Sequence, residues 1–388
     1  MNVAYILPYL RQPSGWRTLS LGVVNAMQDY IRPIVFVEPE DLATARQYFP
    51  NVELFSLPAT QQYSFSSRRG WRNLFRSYRV IQQTSYPHID LVHSLEAYPC
   101  GLVGHWLSQK YNCPHVMTAN GTYAIIWIKY LLDRLMYQRV LAASKLVCPI
   151  SNSTAGLMKR YFGSSLKNTA VVSILIGNDF YQRVPQSQAL ERIPPAQPTI
   201  LTVGDVKPRK GQMITIKAFK KVKKSFPEAR YWIVGDYKPN DYFHGIQKII
   251  ADDQIEDVFF WGRVADEKLC ECYQKASLFV LAPQPLEGAE KMHVEGFGLV
   301  YLEAGAYGLP VIGTRSGGVP DAIREGETGL LVEPGDTDGL AEAMGRLLAD
   351  PILWKKMGNA NRRWSERLTW GRYAGEQYQA YRQVLASP

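Results

Sequence analysis

Residues Gln182–Asp205 read "QRVPQSQALERIPPAQPTILTVGD", and the fold turns on how this stretch divides. Its first part, Gln182–Pro198, holds four prolines and little apolar periodicity, the composition of a linker. Its second part, "TILTVGD" (Thr199–Asp205), is a short apolar run closed by glycine, the form of a buried strand. Upstream, "NVAYIL", "IRPIVFVE", "IDLVHS", "PHVMTA" and "KLVCPIS" share that form, with helical patterns such as Thr18–Gln28 and Ile125–Leu141 between them. Downstream the form restarts in "ARYWIVGD", "DVFFWGR", "SLFVLAP", "LPVIGT" and "GLLVEP". Strands alternating with helices make βαβ units and parallel sheets. The chain therefore reads as two doubly wound α/β domains joined by a Pro-rich hinge. The N-terminal domain is expected over 1–185 and the C-terminal domain over 186–370, with a last helix, 371–388, crossing back to the N-terminal domain. Ligands of such sheets bind outside the carboxyl ends of the strands.

The composition agrees. A chain of 388 residues, 46% aliphatic and aromatic, can bury two cores. Five scattered cysteines (Cys100, Cys113, Cys148, Cys270, Cys272) suit a reducing compartment rather than a disulfide framework. Cys270 and Cys272 lie too close for a zinc knuckle and read as packing residues. "MNVAYILPYL" lacks the basic start of a signal peptide, and no apolar run is long enough to span a bilayer, so a cytoplasmic chain is expected.

The net charge of +9 fits phosphorylated substrates, anionic lipid or nucleic acid alike. Between Leu54 and Ile89 there is no acid, yet Arg68, Arg69, Arg72, Arg76 and Arg79 fall there, with Trp71, Leu74, Phe75 and Tyr78 interleaved at helical spacing. Such a helix fits the inner face of an anionic membrane; it fits equally a helix with an aromatic core face and a solvated arginine face. The run "KAFKKVKK" (Lys217–Lys224) is the one pointer to nucleic acid, and it reads better as a helix with Met213, Ile216, Phe219 and Val222 inside and its lysines in solvent.

Four glycine turns follow strands of the second half. "VGDVKPRKG" (Val203–Gly211) sets Gly204 and Asp205 at a strand end, with Arg209 and Lys210 ahead of a helix, a place that favours phosphate. "FWGR" carries Gly262 and Arg263 after another strand. "HVEGFGLVYLEAGAYGLP" (His293–Pro310) has Glu295 in a loop, a Gly296–Gly298 turn and a helix from about Leu299 to Tyr307 that carries Glu303. "TRSGGVPD" (Thr314–Asp321) is the fourth. Singly, Glu295 reads as a helix-cap acid, Glu303 as a buried salt-bridged one, and Lys210 as solvated surface.

Together, E-G-F-G-L-x-x-x-E-A, G-L-P-V-I-G-T and G-G-V-P-D resemble the E-x7-E signature of the retaining glycosyltransferase family four, the group 1 glycosyltransferases of the two-Rossmann-domain GT-B fold. The resemblance runs through "TANGTYA" (Thr118–Ala124), "PISNSTAGLMKRYFG" (Pro149–Gly163), "IGNDF" (Ile176–Phe180), "GLLVEPGD" and "DPILWKKMGNANRRW", in family order. It implies a nucleotide-sugar donor in the C-terminal domain, a glycan or lipid-linked saccharide acceptor in the N-terminal domain, no metal and no further cofactor. The donor it suggests is UDP-linked, with glucose as the leading hexose, and the setting is polysaccharide or exopolysaccharide synthesis.

By the same resemblance Lys210, with Arg209, holds the leaving diphosphate. Val264, beside Arg263, meets the base through its backbone. Glu303 bonds the ribose, and Phe297, Gly298, Leu299 and Val300 present amides to sugar and phosphate. Glu295 lies beside the donor sugar, and Gly15 approaches the phosphates or acceptor. Two positions depart from the family: Asp205 stands where an Arg is common, and Asn120 where a His is common. Asn120 can hydrogen-bond a sugar but cannot act as a base near neutral pH. His93, at a strand end, is the alternative histidine. An epimerase or phosphorylase of the same architecture is the alternative enzyme.

Overall fold

The structure, a computed structural model, describes residues 1–11, 15–58, 60, 64–172, 184, 197–285 and 294–387, with the side chains of residues 128 and 129 also left out. The Pro-rich stretch Gln182–Pro198 therefore lies, apart from Val184, Gln197 and Pro198, outside the described residues, as do "IGNDF" and His293.

Contacts divide the chain into two compact units, one of Met1–Leu175 with Trp370–Pro388, the other of Ile176–Thr369. The first holds strands β1 (Asn2–Ile6), β2 (Arg32–Val37), β3 (Glu53–Ser56), β4 (Leu91–Ser94), β5 (His115–Ala119) and β6 (Leu146–Pro149). They form one parallel sheet in the order β3-β2-β1-β4-β5-β6. The second holds β7 (Thr199–Val203), β8 (Arg230–Val234), β9 (Val258–Gly262), β10 (Leu278–Val280), β11 (Val311–Thr314) and β12 (Gly329–Val332), in the order β12-β11-β10-β7-β8-β9. Counted within its unit, each sheet has the doubly wound order in which the winding reverses beside the first strand. The reversal falls between β1 and β4 in the first unit and between β7 and β10 in the second.

The central strands are apolar runs because both faces are covered. Val3, Ala4, Tyr5 and Ile6 of β1 are fully buried, as are Ile34, Val35, Phe36 and Val37 of β2. The core of the second unit gathers Ile200, Ile216, Phe219, Tyr231, Leu278 and Ile312 from sheet and helices. The helix Gln212–Ser225 buries Ile216, Ala218, Phe219 and Val222. Its lysines turn outward onto acids, Lys220 to Asp253 at 2.8 Å and Lys223 to Asp257 at 2.6 Å. Cys270 and Cys272 lie on the helix Asp266–Lys275, Cys272 fully packed.

Two elements differ from the sequence reading. The helix expected over Ile125–Leu141 is a 3₁₀ turn, Ile126–Lys129, followed by a separate helix, Leu131–Ala143, because Tyr130 between them is extended. The edge strand β3 was not anticipated, since its residues are only half-buried and lack a continuous apolar run.

The last helix, Trp370–Ala386, belongs to the first unit. Trp370 lies where a Cβ at Gly22 would stand, 2.1 Å from the indole. Tyr381 donates or accepts to Tyr5 at 3.1 Å and meets His93 Nδ1 at 2.5 Å. His93 is thus a core histidine between Tyr381 and Thr118, and burial pushes it down to about pKa 3, keeping it neutral. That answers the alternative raised for His93.

Candidate active site

In the second unit the reversal between β7 and β10 is built from glycine. β7 ends at Val203, and Gly204 (φ +149°) begins the loop "GDVKPRKG". Lys210 lies over Gly204, its Nζ 3.9 Å from where a Cβ would stand. Gly211 (φ +72°) closes the loop against the backbone after β10, where a Cβ would meet the Ala282 carbonyl at 1.8 Å. The Gln284 N–H donates to the Arg209 carbonyl at 2.9 Å and fastens the two loops. This arrangement delivers Arg209 and Lys210 to the carboxyl end of the sheet.

Glu295 meets both cations there. Its Oε2 accepts from Lys210 Nζ at 2.7 Å and from Arg209 at 2.9 Å. Burial opposes its ionisation, but the charges of Lys210 and then Arg209, with their hydrogen bonds, outweigh that and hold Glu295 below the ordinary carboxylate range. The backbone around it is clamped by the fourth glycine turn. The Gly318 N–H donates to the Glu295 carbonyl at 2.8 Å. A Cβ at Gly317 (φ +56°) would lie 2.2 Å from that carbonyl, and one at Gly318 would lie 2.1 Å from the Gly296 carbonyl.

From this clamp the chain enters the helix Leu299–Ala306. Gly298 (φ +98°) caps it with no side-chain acceptor, so the amides of Leu299 and Val300 open the helix without an intrahelical partner. Phe297 is buried and Tyr301 donates to the Leu281 carbonyl at 2.7 Å, which fixes the turn onto the strand-end loop of β10. Glu303, farther along, accepts from the Tyr273 hydroxyl at 2.8 Å through Oε2. Burial pushes Glu303 above the ordinary range and the nearby Asp266 adds to it, against the Tyr273 hydrogen bond. The two acids of the E-x7-E stretch therefore sit in opposite electrostatic surroundings, Glu295 between two cations and Glu303 beside a phenol.

Asp205, in place of a cation, pairs with Lys207 at 2.7 Å. Burial raises its pKa, but Lys207 and, at longer range, Arg263 bring it below the usual value. So Lys207 is spent on Asp205 and Arg209 on Glu295. Arg263 and Val264 follow Gly262 (φ +66°) at the end of β9, whose carbonyl accepts from Gly235 at 2.9 Å.

Gly15 and Asn120 lie in the first unit. Gly15 opens the helix Gly15–Met27 after β1, with no atom of the described residues near the place of a Cβ. Asn120 follows β5 and is 5% exposed. Its Nδ2 donates to the Leu95 carbonyl at 2.9 Å and to Glu96 Oε2 at 3.2 Å, while its buried Oδ1 has no partner among the described residues. Glu96, after β4, stands beside the reversal of the first sheet and did not figure in the sequence reading. Burial pushes it up to about 8, against hydrogen bonds from Ala97 and Asn120. Its signal was positional: an acid just past the end of β4.

The family model for glycosyl transferases group 1 matches residues 185–364, and that for glycosyltransferase family 4 matches residues 26–174. A GDP-mannose-dependent α-(1-6)-phosphatidylinositol monomannoside mannosyltransferase of Mycolicibacterium smegmatis is 30% identical over 71% of this chain and 72% of its own length. The chain belongs to the group 1 glycosyltransferases. Another relative of this glycosyltransferase, a D-inositol 3-phosphate glycosyltransferase of Streptomyces scabiei, is 28% identical over 76% of the chain and 68% of its own. Among solved folds, sucrose-phosphate synthase of Thermosynechococcus elongatus covers all of both chains with a TM-score of 0.74 at 22% identity. HepE of Anabaena, solved with UDP, has a TM-score of 0.76 at 18% identity over 99% of this chain and 100% of its own. The two Rossmann-like units of this glycosyltransferase are those of the GT-B neighbours.

Proposed function

We propose that this glycosyltransferase moves a hexose, with retention and without a metal, from a nucleoside-diphosphate sugar to a glycan or lipid-linked saccharide. The observation that carries the reading is Glu295 held between Lys210 and Arg209 at the reversal of the second sheet. In transfer, the acceptor oxygen bonds to the anomeric carbon as the bond to the β-phosphate oxygen breaks. The electron pair leaves with the diphosphate, whose β-phosphate oxygen takes the acceptor's proton. Lys210, Arg209 and the helix-opening amides of Leu299 and Val300 offset that growing negative charge in a site partly shielded from water. Those cations perform the task a divalent ion performs elsewhere, which supports metal independence. Glu295 orients sugar hydroxyls and faces the positive charge that develops at the anomeric carbon. Glu303, with Oε2 fixed by Tyr273, takes the ribose. Asn120, its amide nitrogen spent on Leu95 and Glu96, offers only an oxygen and so accepts from a hydroxyl.

Relatives divide on the donor. The mycobacterial mannosyltransferase is named for GDP-mannose, while HepE was solved with UDP-glucose. The expected UDP-hexose is kept as the first donor to test and GDP-mannose as the second. The phosphatidylinositol acceptor in the mannosyltransferase name, with the cationic helix Arg68–Gln83, supports a lipid-linked acceptor and a peripheral station on an anionic membrane. A thermal-shift screen of UDP-glucose, UDP-galactose and GDP-mannose tests the donor, because a ligand of the folded state alone raises the melting temperature. Nucleoside diphosphate release with acceptor present, unchanged by EDTA, tests the reaction. Donor turnover without acceptor would point instead to an epimerase.

A further inference from the structure

Two helices of the first unit carry unusual outward faces. The helix Arg68–Gln83 buries Gly70, Leu74, Ser77 and Ile81 and turns Trp71 and Phe75 to solvent, 51% and 45% exposed. Those rings stack at 5.4 Å, and Arg79 lies over Phe75. Arg68, Arg69, Arg72, Arg76 and Arg79 share the exposed side with no ion-pair partner among the described residues. The helix Leu131–Ala143 buries Asp133, Tyr137, Val140 and Leu141. Opposite that stripe a soluble helix carries polar residues. Here Leu131, Leu132 and Leu135 stand there, 73%, 48% and 46% exposed.

One buried residue joins the two. Asp133 accepts from Ser64 Oγ at 2.6 Å, Phe65 N–H at 2.7 Å, Ser66 Oγ at 2.9 Å and Tyr98 hydroxyl at 2.7 Å. Ser64 in turn abuts the first turn of the arginine helix: a Cβ at Gly70 would lie 1.9 Å from the Ser64 carbonyl. The start of the leucine helix and the start of the arginine helix are thus fixed to each other.

We propose that the two faces form one docking surface for an anionic bilayer, in which Leu131, Leu132 and Leu135 enter the acyl boundary while the arginines hold headgroup phosphates. The proposal rests on the peripheral station above and adds a second, apolar element to it. Uncompensated arginines select an anionic partner, and exposed leucines beside stacked aromatics select one with an apolar layer under its charge. A nucleic acid offers the charge without that layer.

The two elements separate by salt. Headgroup attraction fades within a Debye length and is largely screened in strong salt, whereas acyl insertion is not. The full-length protein is floated with vesicles of phosphatidylcholine alone or with phosphatidylglycerol, at about 50 mM and about 500 mM salt. Wild type floats with anionic vesicles at low salt and in part at high salt. Replacing Leu131, Leu132 and Leu135 by Asn leaves low-salt flotation and removes the high-salt fraction. Replacing Arg68, Arg69, Arg72 and Arg76 by Gln weakens low-salt binding by about 5-fold for each charge. An unchanged nucleotide-induced thermal shift shows that each variant is folded. A leucine variant that floats like wild type at high salt overturns the inserted element while leaving the arginine station standing. A wild type that floats under neither condition overturns both, and a leucine-dependent dimer in sedimentation velocity would assign the surface to a second copy of the chain.

Discussion

The carboxylate of Glu295 competes with the ligand its neighbours are placed to bind. Lys210 and Arg209 are both paired to it at hydrogen-bond distance, so a donor diphosphate arrives at cations already half neutralised. Glu295→Gln keeps the shape and removes the charge. A diphosphate held by Lys210 lies roughly 5 Å from the carboxylate, and at an effective dielectric of about 20–40 one unit charge at that range is worth about 2–3 kcal/mol. The nucleoside diphosphate selected by the donor screen should then bind about 30–150-fold tighter to Glu295→Gln than to wild type. Turnover should move the other way, falling about 100–1000-fold, because the group facing the reacting sugar is lost. Isothermal titration with UDP or GDP, beside a transfer assay, reads the two effects. The opposed signs identify the residue. Nucleotide affinity that stays equal or weakens, with an unchanged melting temperature, would show that Glu295 serves only as scaffold for Lys210 and would refute the competition.

Three further outcomes follow from the same geometry. Lys210→Met removes a charge-assisted partner of the diphosphate and should weaken nucleotide binding by about 10–100-fold, with Lys210→Arg recovering part of it; titration calorimetry decides. Gly317→Ala forces a Cβ into the Glu295 carbonyl at a left-handed backbone position, and about 1–3 kcal/mol of stability should go, together with the donor-induced thermal shift. Glu96 keeps its proton to about pH 8 when folded and only to its ordinary 4.5 when unfolded, so the folded state binds more protons between those values and its stability falls as pH rises through them. From pH 6 to pH 8 wild type should lose about 2 kcal/mol more than Glu96→Gln in urea unfolding, and parallel pH dependences would sink that assignment.

Much of the framework was legible because buried parallel strands announce themselves as apolar runs, and glycine turns mark where backbone must approach backbone. Gly204, Gly211 and Gly298 were flagged on that ground, and the positive φ values agree. The order of the strands was not legible. Nothing in "SLFVLAP" says that β10 pairs with β7, a partner remote in sequence. Nor could the sequence tell which cation meets which acid. Asp205 and Lys207 pair locally, but Glu295 with Lys210 is a contact across 85 residues that only the fold supplies. Glu96 stayed silent because its meaning depends on burial beside Asn120, and the exposed leucines of Leu131–Ala143 because an apolar residue in a helix reads as core until its face is known.

The return of the last helix to the first unit also bears on how such genes can be recombined. Trp370 occupies the space that Gly22 leaves empty, so those two positions are one fitting written far apart in the sequence. A single crossover that imports a new second half brings a foreign terminal helix to that glycine. An exchange that preserves the fit has two breakpoints, one near residue 175 and one near residue 370, and transplants the Lys210–Glu295 unit as a cassette.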